Sequence, residues 1–143
     1  MIKIEQLETE LGIDCKAAVL QAIAHPLLNE KNITLLIKRD DLLHPIISGN
    51  KWRKLKYTLL NALNQGNQHI ISMGGAYSNH LHALAYIGHH LQLKTTGLIR
   101  GEQPTQENQT LLDLRHWGMQ LEFVSRSDFR KLRKYRAKLP CVV

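Results

Sequence analysis

Lys51 is the residue whose type and setting could do covalent chemistry, because it follows Ser48-Gly49-Asn50 and opens the run Trp52-Arg53-Lys54-Leu55. Gly49 accepts backbone angles that a side chain forbids, Asn50 is a helix-capping type, and Trp52, Leu55, Leu59, Leu60 and Leu63 recur at helical spacing. Lys51 is therefore expected in the first turn of a helix over about residues 50 to 65. A cation there faces the positive end of the helix dipole. The same position favours a neutral, nucleophilic amine, and Arg53 and Lys54 add to that tendency.

A second stretch, Gly74-Gly75-Ala76-Tyr77-Ser78-Asn79-His80, pairs a glycine turn with a hydroxyl, an amide and an imidazole. Two glycines allow close backbone approach to a ligand, and the start of a helix offers N–H groups to a carboxylate or phosphate. Taken alone, Ser78 or Asn79 reads as a simple helix cap. His80, His82, His89 and His90 fall on one helix without the carboxylate and spacing of a zinc protease, so no metal site is expected. Neither a P-loop nor a dinucleotide fingerprint occurs. Trp52 and Trp117 stand at apolar helical positions and read as core residues.

The elements that must position these residues alternate. Ile33 to Arg39 reads as a short buried strand, and the loop from Asp40 to Ser48 delivers the chain to Gly49. His69 to Met73, Thr95 to Ile99 and Met119 to Val124 read as further strands. Helices are expected from Leu81 to Leu91, from Thr105 to Trp117 and from Ser127 to about Tyr135. Strands alternating with helices over short connections predict an α/β fold, an open parallel sheet with flanking helices in a Rossmann-like three-layer arrangement. In such a sheet ligands sit at the carboxyl ends of the strands, where both unusual stretches fall. Residues 1 to 30 read as a lead-in, with Pro26 breaking any helix.

With 143 residues one α/β unit is expected: 1–50 as lead-in and first strand, 51–135 as βα repeats, 136–143 as an irregular tail. No run is long enough to span a bilayer and no signal peptide is visible, so a soluble, cytoplasmic chain with no membrane partner is expected. Cys15 and Cys141 read as two unpaired thiols of a reducing compartment. The net charge of +7 is concentrated: Arg126 to Lys138 holds seven basic residues against one acid, Asp128, and the rest of the chain is nearly neutral. Such a run is read first as a solvated helix face. The alternative function is a non-catalytic basic module that binds nucleic acid through residues 126 to 138.

In combination the motifs resemble the pyridoxal-phosphate enzymes of the tryptophan-synthase β superfamily (fold type II), and most closely the 1-aminocyclopropane-1-carboxylate deaminase and D-cysteine desulfhydrase family. The resemblance rests on Lys38-Arg39-Asp40-Asp41, on Gly49-Asn50-Lys51 with the following Arg53-Lys54-Leu55, and on the glycine turn ending in Ser78-Asn79; it runs from about His25 to Arg126. It implies that Lys51 holds pyridoxal phosphate as a Schiff base and moves a proton at the substrate's α-carbon. Asn50 and Arg53 flank that lysine. Asn79 would lie beside the cofactor's 3′-oxygen, and Ser78, Asn79 and His80, with Tyr77 next to them, would receive a small amino-acid substrate. Tyr77 stands where the family usually has glutamine, so the substrate, D-cysteine or 1-aminocyclopropane-1-carboxylate, stays open. Arg39, Asp40 and Asp41 are read as charges that pair to fix the loop before Lys51. The family's enzymes are longer, and their second half brings the phosphate loop, so the chain reads as an N-terminal half, truncated and weakly active or inactive alone. A homo-oligomer, or a separate C-terminal half, is the partner this implies.

Overall fold

The computed structural model describes residues 1 to 135; the expected tail from 136 to 143, with Cys141, lies outside the described residues. In chain order the elements are α1 (Ile4–Glu10), β1 (Leu20–Ile23), α2 (Pro26–Glu30), β2 (Leu35–Lys38), a 3-10 turn (Asp40–Leu42), α3 (Lys51–Asn64) and β3 (His69–Gly74). Then follow α4 (Asn79–His90), β4 (Lys94–Arg100), α5 (Gln109–His116), β5 (Gln120–Val124) and α6 (Arg126–Tyr135).

The centre is a parallel sheet in the order β3-β4-β5, with Ile70 paired to Thr95 and Ile99 to Phe123. Alternation along the strands puts Ile70, Ser72 and Gly74 on one face with Thr95, Gly97 and Ile99. That face is buried under α4, whose Leu81, Ala83, Leu84, Ala85 and Ile87 are each almost wholly inaccessible. Consecutive parallel strands joined by right-handed crossovers put α4 and α5 on the same side. On the other face α6 reaches β4 near its carboxyl end, while Ile71 stays exposed. The expected parallel α/β sheet with flanking helices is present, with its helical cover thick on one face and thin on the other.

Four local expectations are corrected. Residues 33 to 39 do not form a buried strand: β2 pairs antiparallel with β1, an element hidden within the supposed lead-in, and every residue of β2 is exposed. A two-stranded hairpin has no sheet to bury it, so apolar Leu35, Leu36 and Ile37 face solvent. The lead-in also supplies core, since Leu7 and Leu11 are buried and Glu8 accepts a 2.8 Å hydrogen bond from Trp52 Nε1. Pro26 starts α2 rather than breaking it, as suits a residue with fixed φ and no N–H at the first helical position. Finally, α5 begins at Gln109, not Thr105, because Asn108 caps it. Trp52 is buried as expected, whereas Trp117 is only half-buried against the core.

Candidate active site at the carboxyl edge of the sheet

The turn after β3 is built by its own side chains. Ser78 Oγ accepts from Leu81 N at 3.3 Å and so caps α4, while Ser78 N donates to Gly75 O at 3.0 Å. Gly74 is required by contact: a Cβ there would lie 2.5 Å from Ser78 Oγ and 2.9 Å from Leu81 Cδ1. A Cβ on Gly75, by contrast, would meet no atom within 4 Å, so that side of the turn is open to a ligand. His80 Nε2 lies 2.8 Å from Ser72 Oγ, which ties the first turn of α4 to the buried strand β3. Asn79 and Tyr77 are exposed. Asn108, which the sequence reading passed over, donates from Nδ2 to Ala76 O at 3.2 Å and joins the start of α5 to the same turn. Its signal was present, an Asn three residues before the buried Leu111, whose N–H it accepts.

Lys51 opens α3, which packs against α1 and α4 and is joined to β3 by a short link, residues 65 to 68. Gly49 has φ +61, the left-handed conformation expected of it. Asn50, however, does not cap α3: its backbone is not in the extended region typical of a cap, and its Oδ1 accepts from Lys51 Nζ at 2.6 Å. The amide is spent on the amine. Lys51 itself is half-buried.

The loop that delivers Lys51 is held at two points. Asp40 receives both Arg53 Nε and Nη2, at 2.5 and 2.6 Å, and its carbonyl accepts from Gly49 N at 2.9 Å. The Arg53 guanidinium holds the Asp40 carboxyl below the usual carboxylate range, and Asp40 in turn raises Arg53. Arg39 pairs with Asp41 and also donates to Gln21 Oε1 of β1 at 2.6 Å. Arg53 therefore spends its charge on Asp40, and the expected charge pairing before Lys51 is what these acids do. The second point is His44, only 8% exposed, whose Nδ1 accepts from Ile46 N and Ile47 N, both at 3.0 Å. Burial, with His90 nearby, pushes the His44 imidazole below its ordinary pKa.

The start of α3 thus carries a primary amine held by an amide oxygen, and the start of α4 carries an open glycine turn. No family model matches the chain. It is 39% identical over 88 residues to a Thermotoga maritima protein assigned as a 1-aminocyclopropane-1-carboxylate deaminase, a match covering 61% of this chain and 28% of that one. It is 33% identical over 104 residues to the bifunctional D-cysteine desulfhydrase/1-aminocyclopropane-1-carboxylate deaminase of Arabidopsis thaliana mitochondria, covering 68% and 26%. Over these residues the chain is a homologue of the 1-aminocyclopropane-1-carboxylate deaminase and D-cysteine desulfhydrase proteins. A solved deaminase homologue of that group superposes with a TM-score of 0.64 at 25% identity, over 92% of this chain and 43% of the other. The chain thus spans about a quarter of the length of those two curated relatives and less than half of the solved one, a coverage that fits an N-terminal portion of the family's fold. Among the described residues no helix is long and apolar enough to cross a membrane, and no group of three or more His, Cys, Asp or Glu could hold a metal ion.

Proposed function

We propose that this chain carries the lysine-bearing half of a pyridoxal-phosphate-dependent deaminase or desulfhydrase acting on a small amino acid. The observation that carries the reading is Lys51 at the start of α3, with its amine held 2.6 Å from Asn50 Oδ1 in the family's Gly-Asn-Lys sequence. The donor set fits the cofactor: one primary amine for its aldehyde, an amide at Asn79, and a glycine turn open beside Gly75 for a ring or substrate to approach. Bound there, the cofactor supplies an electron sink for negative charge at the substrate's α-carbon.

The chain's own residues have separate tasks. Lys51 Nζ would hold the cofactor covalently, and its amine would move a proton at the substrate's α-carbon. Asn50 Oδ1 orients that amine before reaction. The first N–H groups of α4, at Asn79 and His80, belong to the set a helix leaves without intrahelical partners and receive the substrate carboxylate. Ser78 keeps those groups in place by capping α4, and His80 keeps them on β3 through Ser72. Tyr77, exposed at the outer side of the turn, meets the substrate side chain.

Complete relatives would release ammonia and a 2-oxo acid, with sulfide when the substrate is D-cysteine. By itself this chain holds cofactor weakly and turns over little, because positioning by the remaining wall of the site is part of the catalytic energy. The test is to incubate the chain with pyridoxal phosphate, reduce with borohydride and map the label by peptide mass. Label concentrated on Lys51 and lost in Lys51→Ala is the expected result. Label spread evenly over surface lysines would overturn the reading.

A further inference from the structure

The described basic residues of α6 are exposed, yet three of its arginines share a cleft. Arg126, Arg130 and Arg133 follow at intervals of four and three, which brings them to one side of the helix. Together with Arg100, the last residue of β4, and Phe129 they line a single cleft of about 370 Å³ at the carboxyl edge of the sheet. That volume lies within the range of small-molecule sites. The cleft continues past Arg100 to Gly74 and Gly75 on one side and to Glu102, Ser125 and Ser127 on the other.

The charge in this cleft is unbalanced. Among the described residues the ion pairs involve Glu30, Asp40, Asp41, Glu107, Asp113 and Asp128, and none includes any of the four arginines. The acid of α6, Asp128, is taken by Lys131, which does not line the cleft. Four like charges around one space repel one another, and only a ligand of opposite charge turns that repulsion into attraction. Guanidinium groups match a phosphate through paired N–H donors, where an ammonium offers only a point charge. Phe129 adds an apolar wall for the body that carries the phosphate.

We propose that the cleft between Arg100 and α6 is an anion site for the phosphate group of a small phosphorylated ligand. A compact cleft with converging arginines suits one or two phosphate groups, whereas a nucleic-acid strand needs a track of charges along which its backbone can run. Its four arginines and Phe129 include neither Lys51 nor Ser78, and phosphate and pyrophosphate carry no aldehyde, so their binding is read separately from the cofactor site although the cleft opens toward Gly75.

The whole chain is titrated with inorganic phosphate and with pyrophosphate by calorimetry at fixed ionic strength, alongside a twenty-nucleotide single strand. Pyrophosphate is expected to bind one to one, and Arg100→Ala with Arg130→Ala to weaken it by about tenfold or more, as loss of charge-assisted bonds does. Arg133→Gln, a milder change, provides a second reading should the double variant lose its far-ultraviolet dichroism. Lys131→Ala with Lys134→Ala, which removes as much charge from the same helix outside the cleft, is expected to leave the affinity within about twofold. Equal weakening by that control pair would overturn the proposal, because binding would then follow net charge alone. So would the absence of saturable phosphate and pyrophosphate binding, or preferential binding of the oligonucleotide.

Discussion

His44 is the residue on which the placement of Lys51 turns. Its Nδ1 accepts two backbone bonds, from Ile46 N and Ile47 N at 3.0 Å each, so that nitrogen must carry no proton. Ile47 is fully buried, and its N–H has been withdrawn from water. Protonating Nδ1 removes both acceptor interactions, each worth about 0.5–1.5 kcal/mol net, so the structure stands to lose about 1–3 kcal/mol. Burial first, and His90 second, hold the folded imidazole below its ordinary pKa of 6.5. The unfolded chain therefore takes up the proton first as pH falls. Stability from this residue is complete above pH 6.5 and is lost as pH drops through the folded value, at no more than about 1.4 kcal/mol per pH unit.

His44→Asn is the informative variant, because an Asn side-chain oxygen can accept from the same two N–H groups and does not titrate. Urea unfolding from pH 7.5 to 5 is expected to show wild type losing stability relative to His44→Asn, with the two within about 1 kcal/mol of each other at pH 7.5. His44→Ala, which leaves both donors unmet, should cost about 2–3 kcal/mol at pH 7.5 and less as the pH falls, because wild type then loses the same two interactions. Amide exchange at Ile46 and Ile47 should quicken in wild type on acidification and stay slow in His44→Asn. The reasoning fails if His44→Asn keeps the wild-type pH slope, since seven other histidines would then account for it.

Two further substitutions test the walls of the site. Gly74→Ala forces a Cβ to within 2.7 Å of Ser78 Cβ and 2.9 Å of Leu81 Cδ1, so it should lower the urea midpoint by the equivalent of about 1–3 kcal/mol. Removing the Ser78 hydroxyl as well leaves the contact with its Cβ, so Ser78→Ala should not rescue Gly74→Ala in the same measurement. Asp40→Ala removes a pair whose side chains are 41% and 19% exposed, and should cost less than about 1 kcal/mol at pH 7. Because the folded Asp40 pKa is depressed, that difference is present above the unfolded value of 3.8 and should fade as pH drops through the folded one, as urea midpoints at pH 7 and pH 3 would record.

The sheet was legible because β3 and β4 obey simple rules: short apolar runs between turns, each followed by a helix whose apolar positions recur at three and four. Leu81, Leu84 and Ile87 are buried where that period puts them. The β1–β2 hairpin escaped because exposed apolar strands carry no alternation: Leu35, Leu36 and Ile37 face solvent in succession. Asn50 looked like a cap by residue type, yet a cap needs an extended backbone, and a neighbouring amine competes for the same oxygen. His44 left no trace in the sequence reading, since an imidazole that accepts two backbone bonds looks like any loop histidine until its burial is known. The cleft arginines read as a solvated face, and Arg126, Arg130 and Arg133 are exposed as that reading expects; helical spacing puts them on one side but does not show that this side faces Arg100.

The two halves of the candidate site are anchored by different means, and this bears on how Lys51 can be lost. The Ser78 turn hangs on the sheet itself, through His80 to Ser72 and through Gly74, the last residue of β3, where Ser78 and Leu81 leave no room for a Cβ, so it comes apart only with the core. The Lys51 loop is held by His44 and by Asp40, one able to titrate and the other only about 19% exposed but paired with an arginine half open to water. Such anchors open at lower free energy than a buried strand does. Borohydride labelling of Lys51 should therefore fall off in acid at a pH where the dichroism of α4 and the sheet is unchanged. His44→Asn should restore the labelling without altering the lysine. Labelling that tracked global unfolding in both proteins would mean that loop and sheet move as one unit, and that the anchors described for Lys51 do not act separately.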